Sequence, residues 1–106
     1  MDTVTGGCEG AGTRTVAMEA SLAAFRAAST QAYCLRSYGQ RCLEMFHDKE
    51  FARRENAVSV EKADRHEEFA KAYLTDALKI LSAQSASGEI SASRLSEVLS
   101  CIAAYL

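Results

Sequence analysis

The stretch EEFAKAYLTDALKILSAQ, Glu67 to Gln84, decides the fold. Phe69, Tyr73, Ala77, Ile80 and Leu81 recur at steps of three and four, and Leu74 and Leu78 widen the same stripe, which is the period of an amphipathic helix. Glu67, Glu68, Lys71, Asp76, Lys79 and Gln84 lie mostly off it. A helix of this kind is not stable alone in water, so the rest of the chain must supply partner surfaces.

Two further segments can do so. From Thr15, a capping residue, with Glu19 in the first turn, apolar or small residues at Met18, Leu22, Phe25, Ala28, Ala32, Leu35, Gly39, Cys42 and Phe46 predict a long helix over about residues 15–47. Gly39 costs about 1 kcal/mol relative to alanine in a helix interior, so it is expected to mark a close crossing of helices and not a kink. The charged run HDKEFARREN after Phe46 is expected to turn the chain. Ser59, with Glu61 behind it, offers a cap for a second helix over about 55–84 that can start as early as Glu50. The mixed-charge turns from Val60 to Glu68 are expected to project into solvent or to meet only the end of the first helix. The serine-rich run SAQSASGEISAS, Ser82 to Ser93, reads as a loop in which Gly88 can take a left-handed conformation. Ser91 then caps a third helix over about 91–105, with Leu95, Val98, Leu99, Ile102 and Leu106 as its apolar face. Ser93, Glu97, Ser100 and Ala104 fall on the opposite side.

With 106 residues the chain is long enough for one modest core, here assigned to residues 15–106. Residues 1–14 hold four of the six glycines and almost no large apolar side chain, and are expected to be a flexible tail. Proline is absent and period-two alternation is missing, so the class is all-α: a three-helix up-down-up bundle, or a long helical hairpin with a short third helix. Twelve Lys and Arg against fourteen Asp and Glu alternate along the chain, which argues against nucleic-acid partners and anionic membranes. No apolar run approaches the roughly 20 residues of a membrane span, and no secretory signal is evident, so direct membrane insertion is not expected and a cytoplasmic location is. Cys8, Cys34, Cys42 and Cys101 include no CxxC pair and are expected to be reduced thiols.

The chemistry-bearing patterns fail one by one. Gly7 to Thr13 resembles a phosphate loop, but Thr13 stands where the lysine belongs and no strand precedes it. His66-Glu67-Glu68 starts like a zinc-protease helix, yet the second histidine would fall at Ala70. His47 beside Asp48 and Glu50 reads as a solvated helix end. Cys34, Cys42 and Cys101 sit on or beside apolar faces, away from both histidines, where a thiol serves as a small hydrophobe. Tyr33, Tyr38, Tyr73 and Tyr105 read as core-edge residues with hydroxyls in water. No catalytic residue, cofactor or metal is expected.

The pattern F-x-K-A-Y-x-x-x-A-L-K-I-L at Phe69 to Leu81, followed by a loop and a helix ending C-I-A-A-Y-L, together with the Cys42–Phe46 run before a charged turn, resembles MIT domains. These are three-helix modules of the endosomal sorting machinery, and the likeness is greatest to those of ESCRT-associated regulators of the disassembly ATPase. It spans about residues 32–106; the long first helix and the charged insert from His47 to Ala57 depart from the family pattern. The resemblance implies a binding module whose groove between helices one and three accepts an amphipathic helix from an ESCRT-III tail, with Ser93, Glu97, Ser100 and Ala104 as one wall. The expectation is therefore a non-catalytic interaction module with a protein partner. The alternative is a coiled-coil hairpin acting as a structural, possible oligomer-forming subunit of a cytoskeletal or organellar assembly.

Overall fold

A computed structural model describes the backbone of residues 6–106 and the side chains from Arg14 onward. Three helices follow one another: α1 (Gly6–Met45), α2 (Lys49–Ser87) and α3 (Ala92–Ala103). The fold is all-α, two long helices and a short third, as the apolar periods require.

The boundaries correct the sequence reading. α1 is helical from Gly6, nine residues before the expected start at Thr15; residues 1–5 of the expected tail lie outside the described residues. With no proline to stop it, an established helix gains one hydrogen bond for each residue added, and this offsets the glycine cost. α2 starts at Lys49, one residue before the early start that the sequence allowed at Glu50, so the turn is shorter than the charged run suggested. Asp48 caps α2, its Oδ1 accepting from the backbone N–H groups of Glu50 and Phe51, each at 3.1 Å. The rings of Phe46 and Phe51 then pack across the turn, centroids 5.2 Å apart. Ser59 is consequently no cap. It is buried inside α2, where its hydroxyl donates to the Leu35 carbonyl of α1 at 2.6 Å.

The chain divides into two compact units. In Phe25–Lys71, α1 and α2 run antiparallel, as the Leu35–Ser59 bond and the Arg36–Asp64 ion pair at 2.7 Å require. Arg36 also meets Glu67. Beyond Phe25 the buried line is made of small residues: Ala28, Ala32 and Cys42 on α1, Ala52, Ala63 and Ala70 on α2. Gly39 completes it, because a β-carbon there would stand 3.3 Å from Ser59 Cβ, so the expected close crossing is present. The early turns of α2 are thus packed along α1, contrary to the expectation that they project into solvent or meet only its end. Alternate small residues hidden among charges carry that packing.

The second unit joins α1 up to Ala24 with Ala72–Leu106 and contains parts of all three helices. Met18, Leu22, Ala77, Leu81, Val98 and Ile102 are its buried apolar residues. Arg14 pairs with Glu89, and five residues further along both segments Glu19 pairs with Arg94 at 2.6 Å, so α3 runs parallel to α1 while α2 opposes them. This is the up-down-up order. Gln84 is buried with the core; its Nε2 donates to Thr15 Oγ1 at 3.1 Å, and its Oε1 is buried without a hydrogen-bond partner.

Candidate functional site

The candidate surface lies on α3, and both ends of that helix are fixed locally. α2 runs on through Ser87, so of the expected loop Ser82–Ser93 only residues 88–91 are non-helical; Gly88 takes φ +76° and ends α2, its N–H donating to the Ser85 carbonyl at 3.3 Å and that of Glu89 to the Gln84 carbonyl at 2.9 Å, the paired bonds of a Schellman cap. Ser91, in an extended conformation, then accepts the Arg94 N–H on its Oγ at 3.1 Å and opens α3 as expected. Beyond Ala103 the Ala104 N–H still donates to Ser100.

Val98 and Ile102 anchor α3. The four residues singled out from sequence, Ser93, Glu97, Ser100 and Ala104, are all exposed and fall on the side away from those anchors, so they lie on the outer side of α3 and not in the expected groove between helices one and three. Three of them are too small to block an approaching backbone. The fourth, Glu97, is engaged: its carboxylate accepts from Arg94 Nη1 at 2.9 Å, while Arg94 Nη2 reaches Glu19. Glu97 and then Glu19 raise the Arg94 pKa by hydrogen bonding, so the guanidinium stays charged and tethers α3 to α1.

Leu99 departs from its expected place in the core. It is 46 % exposed, beside Ser100, and Tyr105 and Leu106 are exposed after it. At 100° per residue, the stripe centred on Leu95, Val98 and Ile102 leaves Leu99 on its rim, a signal the sequence contained. On α2 the same shift occurs: Phe69, Tyr73 and Leu78, expected inside, are exposed, and the buried line runs through Ala70, Ala77, Leu81 and Gln84.

An open cleft of about 360 Å³ sits at the start of α3, with Thr15, Met18, Gln84, Ile90 and Arg94 among its walls. The Gln84 Oε1 is sealed from it, and its charged groups are already paired. Of the thiols, Cys42 is buried as expected, whereas Cys34 and Cys101 are exposed and not core hydrophobes. His66 takes up the Lys62 carbonyl on Nδ1 at 2.9 Å and stands edge-on to Phe69. Among the described residues no group of three His, Cys, Asp or Glu side chains converges, and no helix is long and apolar enough to cross a membrane. No protein-family model matches the chain, and no curated protein or solved structure gives a significant match.

Proposed function

We propose that this chain is a non-catalytic protein-interaction module, acting in the cytoplasm, that receives an amphipathic helix along the outer side of α3, in the manner of the MIT-type modules it resembles. One observation carries the reading: the small residues Ser93, Ser100 and Ala104 leave the outer side of α3 open, and Leu99 is exposed on the flank between that side and the buried stripe. A small floor lets a partner backbone come close, and an unburied leucine gives the partner's apolar face something to cover. Glu97, already paired with Arg94, supplies a charged margin. An ESCRT-III tail helix is the partner class that the resemblance implies, which places the module in endosomal sorting.

The second reading, a structural subunit of a larger assembly, is favoured by a different observation. In Phe25–Lys71, Tyr33 is 73 % exposed and Phe69 53 %, which is costly surface for a chain that works alone. Sedimentation over a range of concentrations separates the two, because a monomer favours the module and an obligate oligomer the subunit.

The decisive experiment titrates labelled ESCRT-III tail peptides against the parent and Ser100→Arg, with helicity and melting temperature recorded for both. The arginine stands on the open face and leaves Val98 and Ile102 in place, so folding should survive and micromolar binding should be lost. A well-folded monomeric parent that binds no tail removes the MIT-like reading. Equal binding by both proteins moves the site off α3.

A further inference from the structure

The last two turns of α1, within the Phe25–Lys71 unit, enclose a cleft of about 290 Å³ walled by Tyr38, Arg41, Cys42, Met45 and Phe46. The first four residues stand at i, i+3, i+4 and i+7. In helix–helix packing that set of four forms the hole into which a facing helix inserts one side chain. Its centre is low and its ends are high: Cys42 is drawn into the core at 3 % exposure, while Tyr38 and Met45 remain 48 % and 69 % exposed. Phe46 closes the far side, held by its ring contact with Phe51.

The rim carries one uncommitted charge. Like Arg26 and Arg53, Arg41 makes no ion pair among the described residues, whereas Arg14, Arg36, Arg54, Arg65 and Arg94 each do. The carboxylate one turn further along α1 has another partner: Glu44 accepts from Gln40 Nε2 at 3.2 Å. An apolar hole beside a free guanidinium is complementary to an apolar side chain with a carboxylate one helical turn away.

We infer that this end of α1 is a docking site for a helix of another protein that inserts a leucine-sized side chain between Tyr38, Arg41, Cys42 and Met45 and meets Arg41 with an aspartate or glutamate. The site is separate from the α3 face and does not depend on the function proposed for it.

The probe is an alanine-based helical peptide bearing one leucine with a glutamate one turn away, titrated into the full chain with methionine methyl and arginine side-chain signals followed by NMR. The expected result is a saturable, sub-millimolar shift of the Met45 methyl and the Arg41 Nε–H. Arg41→Glu should weaken binding about tenfold, and a peptide with lysine in place of glutamate should restore it. Replacing the peptide's leucine by alanine should abolish the shift, and Ser100→Arg should leave it unchanged. The inference is overturned by the absence of a saturable shift, by equal shifts from the alanine peptide, by failure of the charge swap, or by loss of binding in Ser100→Arg. It is overturned as well if dilution alone moves the Met45 signal, since a second copy of the chain would then fill the hole.

Discussion

Ser59 donates its hydroxyl proton to the Leu35 carbonyl at 2.6 Å, and it does so across two helices, one residue-turn below Gly39. By the helix's own bonding pattern that carbonyl also takes the N–H of Gly39, so the bare face of the glycine and the buried serine share one contact. A β-carbon on Gly39 would stand 2.8 Å from Asn56 Nδ2 and 3.3 Å from Ser59 Cβ. Asn56 can swing away, but Ser59 is held by its bond. Gly39→Ala gains about 1 kcal/mol of helix propensity and loses about 1–3 kcal/mol to overpacking, so the net effect should be a lower melting temperature. A melting temperature above the parent's would show that the helices can part without cost.

The same contact explains how much of the fold could be read in advance. Helix identity, the Ser91 cap, the Gly88 turn and the Gly39 crossing follow from local chemistry, and the sequence displays them. The packing of Ala52, Ser59 and Ala63 was not legible, because small residues leave no hydrophobic signal among charges and only the nearness of α1 makes them core. The exposed line Ser93, Glu97, Ser100 and Ala104 is legible because it is the complement of the α3 stripe; Leu99 lies at the edge of that stripe, where its hydrophobicity alone does not decide its burial.

Placement of that stripe makes a direct prediction. Val98 and Ile102 are 2 % and 5 % exposed, so Ile102→Asp or Val98→Asp should bury an unpaired charge and cost several kcal/mol, a large part of the roughly 5–15 kcal/mol that stabilises a domain. Leu99→Asp, at the rim, can keep its carboxylate in water and should cost far less. Chemical denaturation of the three variants checks the order, and a Leu99→Asp protein as unstable as Ile102→Asp would mean that α3 is rotated.

Acid should loosen the start of α3. Arg14 first, and the Ser87 hydroxyl second, hold the Glu89 carboxyl below its ordinary value, with desolvation opposing them. A carboxylate depressed in the folded state stabilises above its unfolded pKa, about 4.3, and loses that contribution as pH falls through the lower folded value. Melting temperature should therefore fall more steeply in the parent than in Glu89→Gln below about pH 5, the two curves converging in strong acid. Parallel curves would show that the exposed pair contributes nothing, and high salt should shrink the difference.

Gln84 is the polar residue that the core tolerates at a loss. Its Nε2 is satisfied by Thr15 Oγ1, but Oε1 is buried and unpartnered, and a buried acceptor without a donor costs about 1–3 kcal/mol in lost hydration. Methionine has nearly the same length and shape and brings no polar atom, so Gln84→Met should remove that penalty and cost only one hydrogen bond, about 0.5–1.5 kcal/mol. Thr15 is exposed and can turn to water. The expected outcome is a gain of about 1 kcal/mol, the difference of the central values of those two terms, seen as a higher denaturation midpoint with an unchanged slope. Gln84→Ala is the control: it removes the same unmet oxygen but leaves a cavity, and should be less stable than Gln84→Met by the cost of lost packing. If Gln84→Met instead melts below the parent, a buried water already satisfies Oε1, and the glutamine is a fully bonded part of the core.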